Sequence, residues 1–372
     1  IGYDTLSGNL NGALQNTAVG KEAMKGNTTG DYNVAIGAES GEANTTGSYN
    51  ISIGYQAMHT HDGGLRNVAI GAFAMKDTDA GSPSKASDDC VLIGYDAGGG
   101  TWANQDCSNL VGIGTGALGG ALEGNNTDGT VAIGKNSFTA LTSGAENTAV
   151  GFGTAEQTTT GGGNTVFGYQ ALTGDVDGDG ADNTVLGHKA MLAAVSPSKN
   201  VAIGDSAMRV MNGTANGIAN CVAIGANAFY GDATNTTTGA NGTIAIGKDS
   251  LKALTTGVGN ISIGLESSKV NTTGYKNTVM GWSSFVTNQT GYSNVAIGSE
   301  SLYFTTSDEN VAVGDRAGAY TTGDANTYVG FKSGFGASGA EANNVGVGHN
   351  SLLAVTTGSD NIAIGLSAGD AI

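Results

Sequence analysis

The stretch Asn33-Val34-Ala35-Ile36-Gly37-Ala38-Glu39-Ser40 decides how this chain folds, because close copies of it recur from one end to the other. Asn200–Met208 reads NVAIGDSAM, Thr243–Leu251 reads TIAIGKDSL, and Asn361–Gly369 reads NIAIGLSAG. With the motif glycine as position zero, 21 copies run from Gly2 to Gly365, and ten of the 20 intervals are 17 residues, the rest 16 to 23. Repetition at this period means a stack of small units, each unable to bury its own apolar face.

Position −1 is apolar and position −3 is Val, Ile or Thr in all 20 copies with a preceding segment. The residue between them is usually small. This alternation predicts a short strand with −3 and −1 on one face, filling the coil. Position +3 is always Ala, Ser or Thr. Position +4 is often large, as at Met24, Met58, Met75, Phe138, Phe229 and Phe285. A second short strand is expected after the glycine, with the +4 side chains facing other chains.

The return path carries a TTG tripeptide, as at Thr28–Gly30, Thr45–Gly47 and Thr272–Gly274. Its glycine is expected at a turn with positive φ. Asn then occupies position −4 at Asn16, Asn33, Asn50, Asn67, Asn147, Asn164, Asn183, Asn200, Asn260, Asn277, Asn294, Asn310, Asn326, Asn344 and Asn361. Stacked coils would set these amides in a structural ladder. The exceptions are Cys90, Leu110, Thr130, Cys221 and Thr243, each preceded by an interval of 20 residues or more. The longer path is read as re-entering the strand by another route. Loop insertions are placed at about 76–89, 98–130 and 209–242.

The composition agrees with a thin, turn-dense coil: 64 Gly, 2 Pro, 6% aromatic and 13% charged residues in 372. The fold class read from these features is all-β, a parallel β-solenoid of about 21 coils of about 17 residues, forming one continuous repeat domain over 1–372. One coil encloses little core, so a second burial surface is expected from a homotrimer, with a dimer or monomer less favoured. The chain opens in mid-motif and stops just after one, so a fragment of a longer fibre protein is expected.

The formal charge is −17, and no run of the sequence forms a basic patch, which disfavours nucleic acid. No apolar run is long enough for a membrane span. Three cysteines, Cys90, Cys107 and Cys221, without a CxxC motif suit free buried thiols better than a bridge.

The repeated NxAIGxxA/S pattern resembles the heads of trimeric autotransporter adhesins. The 17-residue form with Asn27-Thr28-Thr29-Gly30 and Asn44-Thr45-Thr46-Gly47 is more similar still to repeats in bacteriophage tail fibres. This resemblance implies a left-handed parallel β-roll, intertwined or side by side in a homotrimer. It also implies a non-enzymatic shaft in a virion that meets a host receptor or glycan. The alternative is an adhesin head on a bacterial surface.

Candidate chemistry is sparse. Asp175, Asp177, Asp179 and Asp182 open like a calcium loop, but Leu186 stands where a bidentate Glu belongs. An acidic surface turn is the competing reading; no other cofactor is indicated. His59-Thr60-His61 is weighed as a transition-metal pair against an exposed loop. A hexapeptide-type acyltransferase would need His59, His61, His188 or His349, and none has an acid partner at a recognisable spacing. Aromatics at +1, Tyr3, Tyr55, Tyr95, Phe152, Tyr169, Trp282 and Phe331, are read as surface or interchain contacts. Trp102 and Tyr230, in long loops, are the candidate receptor contacts.

Overall fold

A computed structural model describes residues 1–8, 10–78, 87–102, 106–174, 180–211, 217–231, 239–336, 342–355 and 358–370. It is an all-β parallel β-solenoid. The chain divides into two compact units, Ile1–Val185 and Leu186–Ile372. Among the described residues no helix is long and apolar enough to cross a membrane.

In the first unit the strands stack in parallel from Thr17–Val19 and Val34–Ile36 to Thr165–Phe167. In the second they stack from Val201–Ile203 and Val222–Ile224 to Ile362–Ile364. Like positions always pair. Ile53 faces Ile70 after 17 residues, and Ile70 faces Ile93 after 23. The strands that follow long return paths therefore keep the same register as those that follow short ones.

Each coil contributes one three-residue strand to the main sheet, and the residues directly after the motif glycine form turns; a second, two-residue strand follows at Ala193–Ala194 and Val210–Met211, which pair in parallel. Backbone conformation explains the turns. Positions +2 and +4 take left-handed conformations, as at Glu22 (φ 58°), Met24 (φ 51°), Gln56 (φ 55°) and Met58 (φ 52°). Alternation of this kind folds the chain tightly and cannot extend it.

The strand faces are the reverse of the sequence expectation. In Val34–Ile36, Val68–Ile70 and Ile244–Ile246 the central Ala is buried while the flanking Val and Ile are half-buried or exposed. The same pattern holds in all 20 three-residue strands. The large +4 side chains fill the coil instead: Met24, Met58, Met75, Phe138, Phe229 and Phe285 are at most 2% exposed. Many rungs set one large +4 side chain beside a small strand centre, although Val166 and Leu172, and Val279 and Phe285, are buried together.

Two rungs exchange these roles. Leu92 replaces the central small residue, and +4 becomes Gly98, whose added Cβ would lie 2.4 Å from Leu92 Cδ1. Tyr328 does the same, and Gly334 at +4 of the same rung would place a Cβ 2.5 Å from its ring. At these two rungs a large strand residue is matched by a glycine at +4, as close packing demands.

The motif glycine has φ between 126° and 153° in every copy. At Gly37 an added Cβ would lie 2.4 Å from the Gly54 carbonyl oxygen on the next rung. Conformation and close approach both exclude a side chain there. Most TTG glycines differ: Gly30, Gly47, Gly161, Gly257 and Gly274 do not take positive φ, while Gly239 does, at 73°. Gly30 is small because its Cβ would lie 2.2 Å from the Gly47 carbonyl oxygen. The left-handed turn sits at −5, at residues such as Tyr32 (φ 59°) and Arg66 (φ 60°).

Candidate functional site

The −4 amides clamp each rung to the next. Asn33 Oδ1 accepts the Asn50 backbone N–H at 2.9 Å, and Asn33 Nδ2 donates to the Gly47 carbonyl at 2.7 Å. The pattern repeats from Asn50 to Asn67 and Gly64, and from Asn260 to Asn277 and Gly274. At two of the positions where −4 is not Asn, a thiol takes the amide's place. Cys90 Sγ donates to the Cys107 carbonyl and Cys221 Sγ to the Ala240 carbonyl, both at 3.3 Å. All three cysteines are buried thiols outside any disulfide. Burial pushes the Cys90 thiol up to about 12 and the Cys221 thiol up to about 11.

The NTTG turns close on themselves. Gly30 N–H donates to Asn27 Oδ1 at 3.1 Å and Gly274 N–H to Asn271 Oδ1 at 2.9 Å. His61 stands in the same column as Asn27 and Asn44, and is buried. Its Nδ1 pairs with Thr78 Oγ1 at 2.9 Å and its Nε2 with Asn67 Nδ2 at 3.1 Å. His59 lies outside, its Nε2 3.2 Å from Glu42 Oε2. The two imidazoles of the HxH thus serve opposite sides of the coil wall and do not converge on one ion.

Among the described residues, Glu39, Glu42 and His59 bring three donor atoms within 4.8 Å of one another. Neighbours already engage them: Gln56 Nε2 donates to Glu39 Oε2 at 2.6 Å, and Lys25 Nζ lies 4.0 Å from Glu42 Oε1. Of the aspartates proposed for calcium, Asp175, Asp177 and Asp179 lie outside the described residues. Asp182 is exposed at the −5 turn, with φ 58° and its N–H donated to the Gly162 carbonyl at 3.0 Å.

Acid partners for histidine do exist, one rung away. His188 Nδ1 lies 2.6 Å from Asp205 Oδ1, with both side chains more than half exposed. Sequence spacing within one motif could not show this pair, because a rung places residues 17 apart in contact. Open to water on both members, it has no enclosure in which to activate a nucleophile.

Trp102 is corrected as a receptor contact: it is fully buried. Its ring packs into the space left by Gly98, 3.1 Å from where a Cβ would stand. The loop that carries it turns back into the coil to fill a rung lacking a +4 side chain. The +1 aromatics Tyr3, Tyr55, Tyr95, Phe152, Tyr169, Trp282 and Phe331 are all exposed. Tyr230 is partly exposed, with Arg209 Nη1 donating to its hydroxyl at 2.8 Å.

Two surfaces escape the sequence reading. Tyr303, Phe304, Tyr320 and Phe335 gather on three successive rungs beside the Glu300–Arg316 ion pair around a cavity of about 400 Å³. Arg209, Tyr230, Lys252 and Lys269 share position +5 on four successive rungs. Scoring +5 against the motif glycine, instead of scanning for basic runs, would have found the second surface. No protein-family model and no curated protein matches the chain.

Proposed function

We propose that this chain is a non-enzymatic shaft segment of a homotrimeric fibre that attaches to a host surface, of the kind carried by a phage tail. The observation that supports it is the outward stripe of Val and Ile at −3 and −1. Ile36 is 41% and Ile51 37% exposed, and every three-residue strand turns its −3 and −1 residues, mostly Val and Ile, away from the interior. Exposed apolar ladders of this length are poor surfaces for a lone chain and suit burial against further copies. This reassigns the interchain contact from +4, which is core, to −3 and −1. The NTTG form of the repeat favours a fibre in a virion over an adhesin head on a bacterial surface.

The test is the mass of the chain in solution, with Ile246→Lys and Ile263→Lys introduced together. A trimer that becomes a monomer with its strand content intact supports the proposal. A wild-type chain that remains monomeric at working concentration overturns it. Burying one Val or Ile contributes roughly 1.5–3 kcal/mol, so two buried charges per chain suffice to break the contact.

A further inference from the structure

The chain carries a strongly acidic balance, yet residues 186–270 hold six Lys or Arg against four Asp or Glu. Three of those bases, Arg209, Lys252 and Lys269, fall in one column with Tyr230, at the same offset from four successive motif glycines. Rung-to-rung hydrogen bonds fix the column. Val210 N–H donates to the Tyr230 carbonyl at 2.9 Å, and Ala253 N–H to the Lys269 carbonyl at 3.2 Å. A cavity of about 470 Å³ opens here, lined by Tyr230, Gly231, Lys252, Ala253, Lys269 and Val270, with Thr272 at its edge.

Each side chain is held in place by its own rung. Lys252 Nζ lies 3.1 Å from Asp249 Oδ1, and Lys269 Nζ 2.9 Å from Glu266 Oε1. An ammonium has three donors, so one spent on a local carboxylate leaves two for a ligand. The same Asp249 Oδ1 also accepts from Asn227 Nδ2 at 3.1 Å. Arg209 stacks over the Tyr230 ring at 5.6 Å and bonds its hydroxyl, so the ring is braced. Ala253 and Val270 add apolar surface to the lining.

We infer that the cavity between Tyr230, Lys252 and Lys269 is a binding site for a carboxylate-bearing sugar. The two ammonium groups on adjacent rungs take the carboxylate. The apolar face of the sugar ring lies against Tyr230, Ala253 and Val270. Such sites join an aromatic or apolar platform to a few fixed polar groups. The surrounding negative charge confines the attraction to a short acidic group at the column and repels an extended polyanion such as single-stranded nucleic acid. The inference deepens the host-surface reading above and rests on it for its biological setting.

The test is calorimetric titration of the full chain with a glucuronate-terminated disaccharide, its neutral glucose counterpart, and a short single-stranded DNA. The acidic sugar binds at least tenfold more tightly than the neutral one. Lys252→Gln and Lys269→Gln together weaken it at least tenfold, and Tyr230→Ala at least threefold. Lys252→Arg with Lys269→Arg retains it, which separates a lost charge from a damaged fold. Equal binding of the neutral sugar, binding of the DNA as tight as the acidic sugar, or unchanged affinity in the double Gln variant overturns the proposal. Failure here with an intact trimer leaves the fibre reading standing. Sugar binding by a chain that is only monomeric removes the fibre reading and keeps this site.

Discussion

Asn277 Oδ1 accepts the backbone N–H of Asn294 at 3.0 Å, while Asn277 Nδ2 donates to the carbonyl of Gly291 at 2.8 Å. One side chain thus satisfies a donor and an acceptor of the next rung, both out of reach of water. Replacing Asn277 with Ala leaves the pair unpartnered and costs about 2–4 kcal/mol. Amide exchange at Asn294 should rise far more than at Asn361, several rungs away. Equal protection at both in the variant would mean that water replaces the amide.

The motif glycine is the least replaceable position. At Gly281, φ is 148° and an added Cβ would lie 2.2 Å from the Gly298 carbonyl oxygen. Gly281→Ala should cost about 3 kcal/mol or more, through conformation and through a broken rung contact. Gly259→Ala is the control: φ is 65° and nothing lies within 4 Å of the new methyl, so about 1–2 kcal/mol is expected. Chemical denaturation of the two variants measures the difference.

Leu92 and Gly98 form a volume pair, and their substitutions should not add. Leu92→Ala alone opens a cavity and costs about 2–5 kcal/mol. Gly98→Ala alone drives a methyl into Leu92. Combined, the new methyl occupies part of the space vacated, and the double variant should lose at least 1 kcal/mol less than the sum of the singles. Additive losses would show that the two sites do not share volume.

Cys90 and Cys221 set a pH dependence. Both thiols ionise near 9 when unperturbed, and burial holds them up to about 12 and about 11 in the folded chain. Between pH 9 and those values the unfolded chain releases protons that the folded chain keeps. Stability therefore falls as pH rises through this window, by about 1.4 kcal/mol per pH unit for each thiol. Denaturant midpoints from pH 8 to 11 should fall less steeply when both are replaced by Ala. Thiol reagents at pH 8 should react only on unfolding.

The period, the strand and the parallel stacking could be read from Asn33–Ser40 and its copies, because a register repeated 21 times admits few architectures. The facing of the strand could not. Val34, Ala35 and Ile36 alternate, and alternation defines two faces without saying which is inside. Hydrophobicity pointed to Val and Ile, but Met24 and its equivalents had already filled the narrow interior. Trp102 was misplaced for a related reason: a large aromatic in a long loop looks available until Gly98 is seen to leave a hole for it. The column of Arg209, Tyr230, Lys252 and Lys269 was present in the sequence but spread over four rungs, so no local window contains it.

Every rung that carries Asn at −4 presents the same amide to its neighbour, and these rungs follow return paths that differ by up to three residues. Two such rungs far apart in the chain are therefore interchangeable at their junctions. A gene encoding such repeats can gain or lose whole units by recombination between copies, and the junction still closes with its hydrogen bonds matched. Length becomes a heritable variable that can drift without refolding, while the residues at +5 travel with their rung and can be reshuffled into new columns.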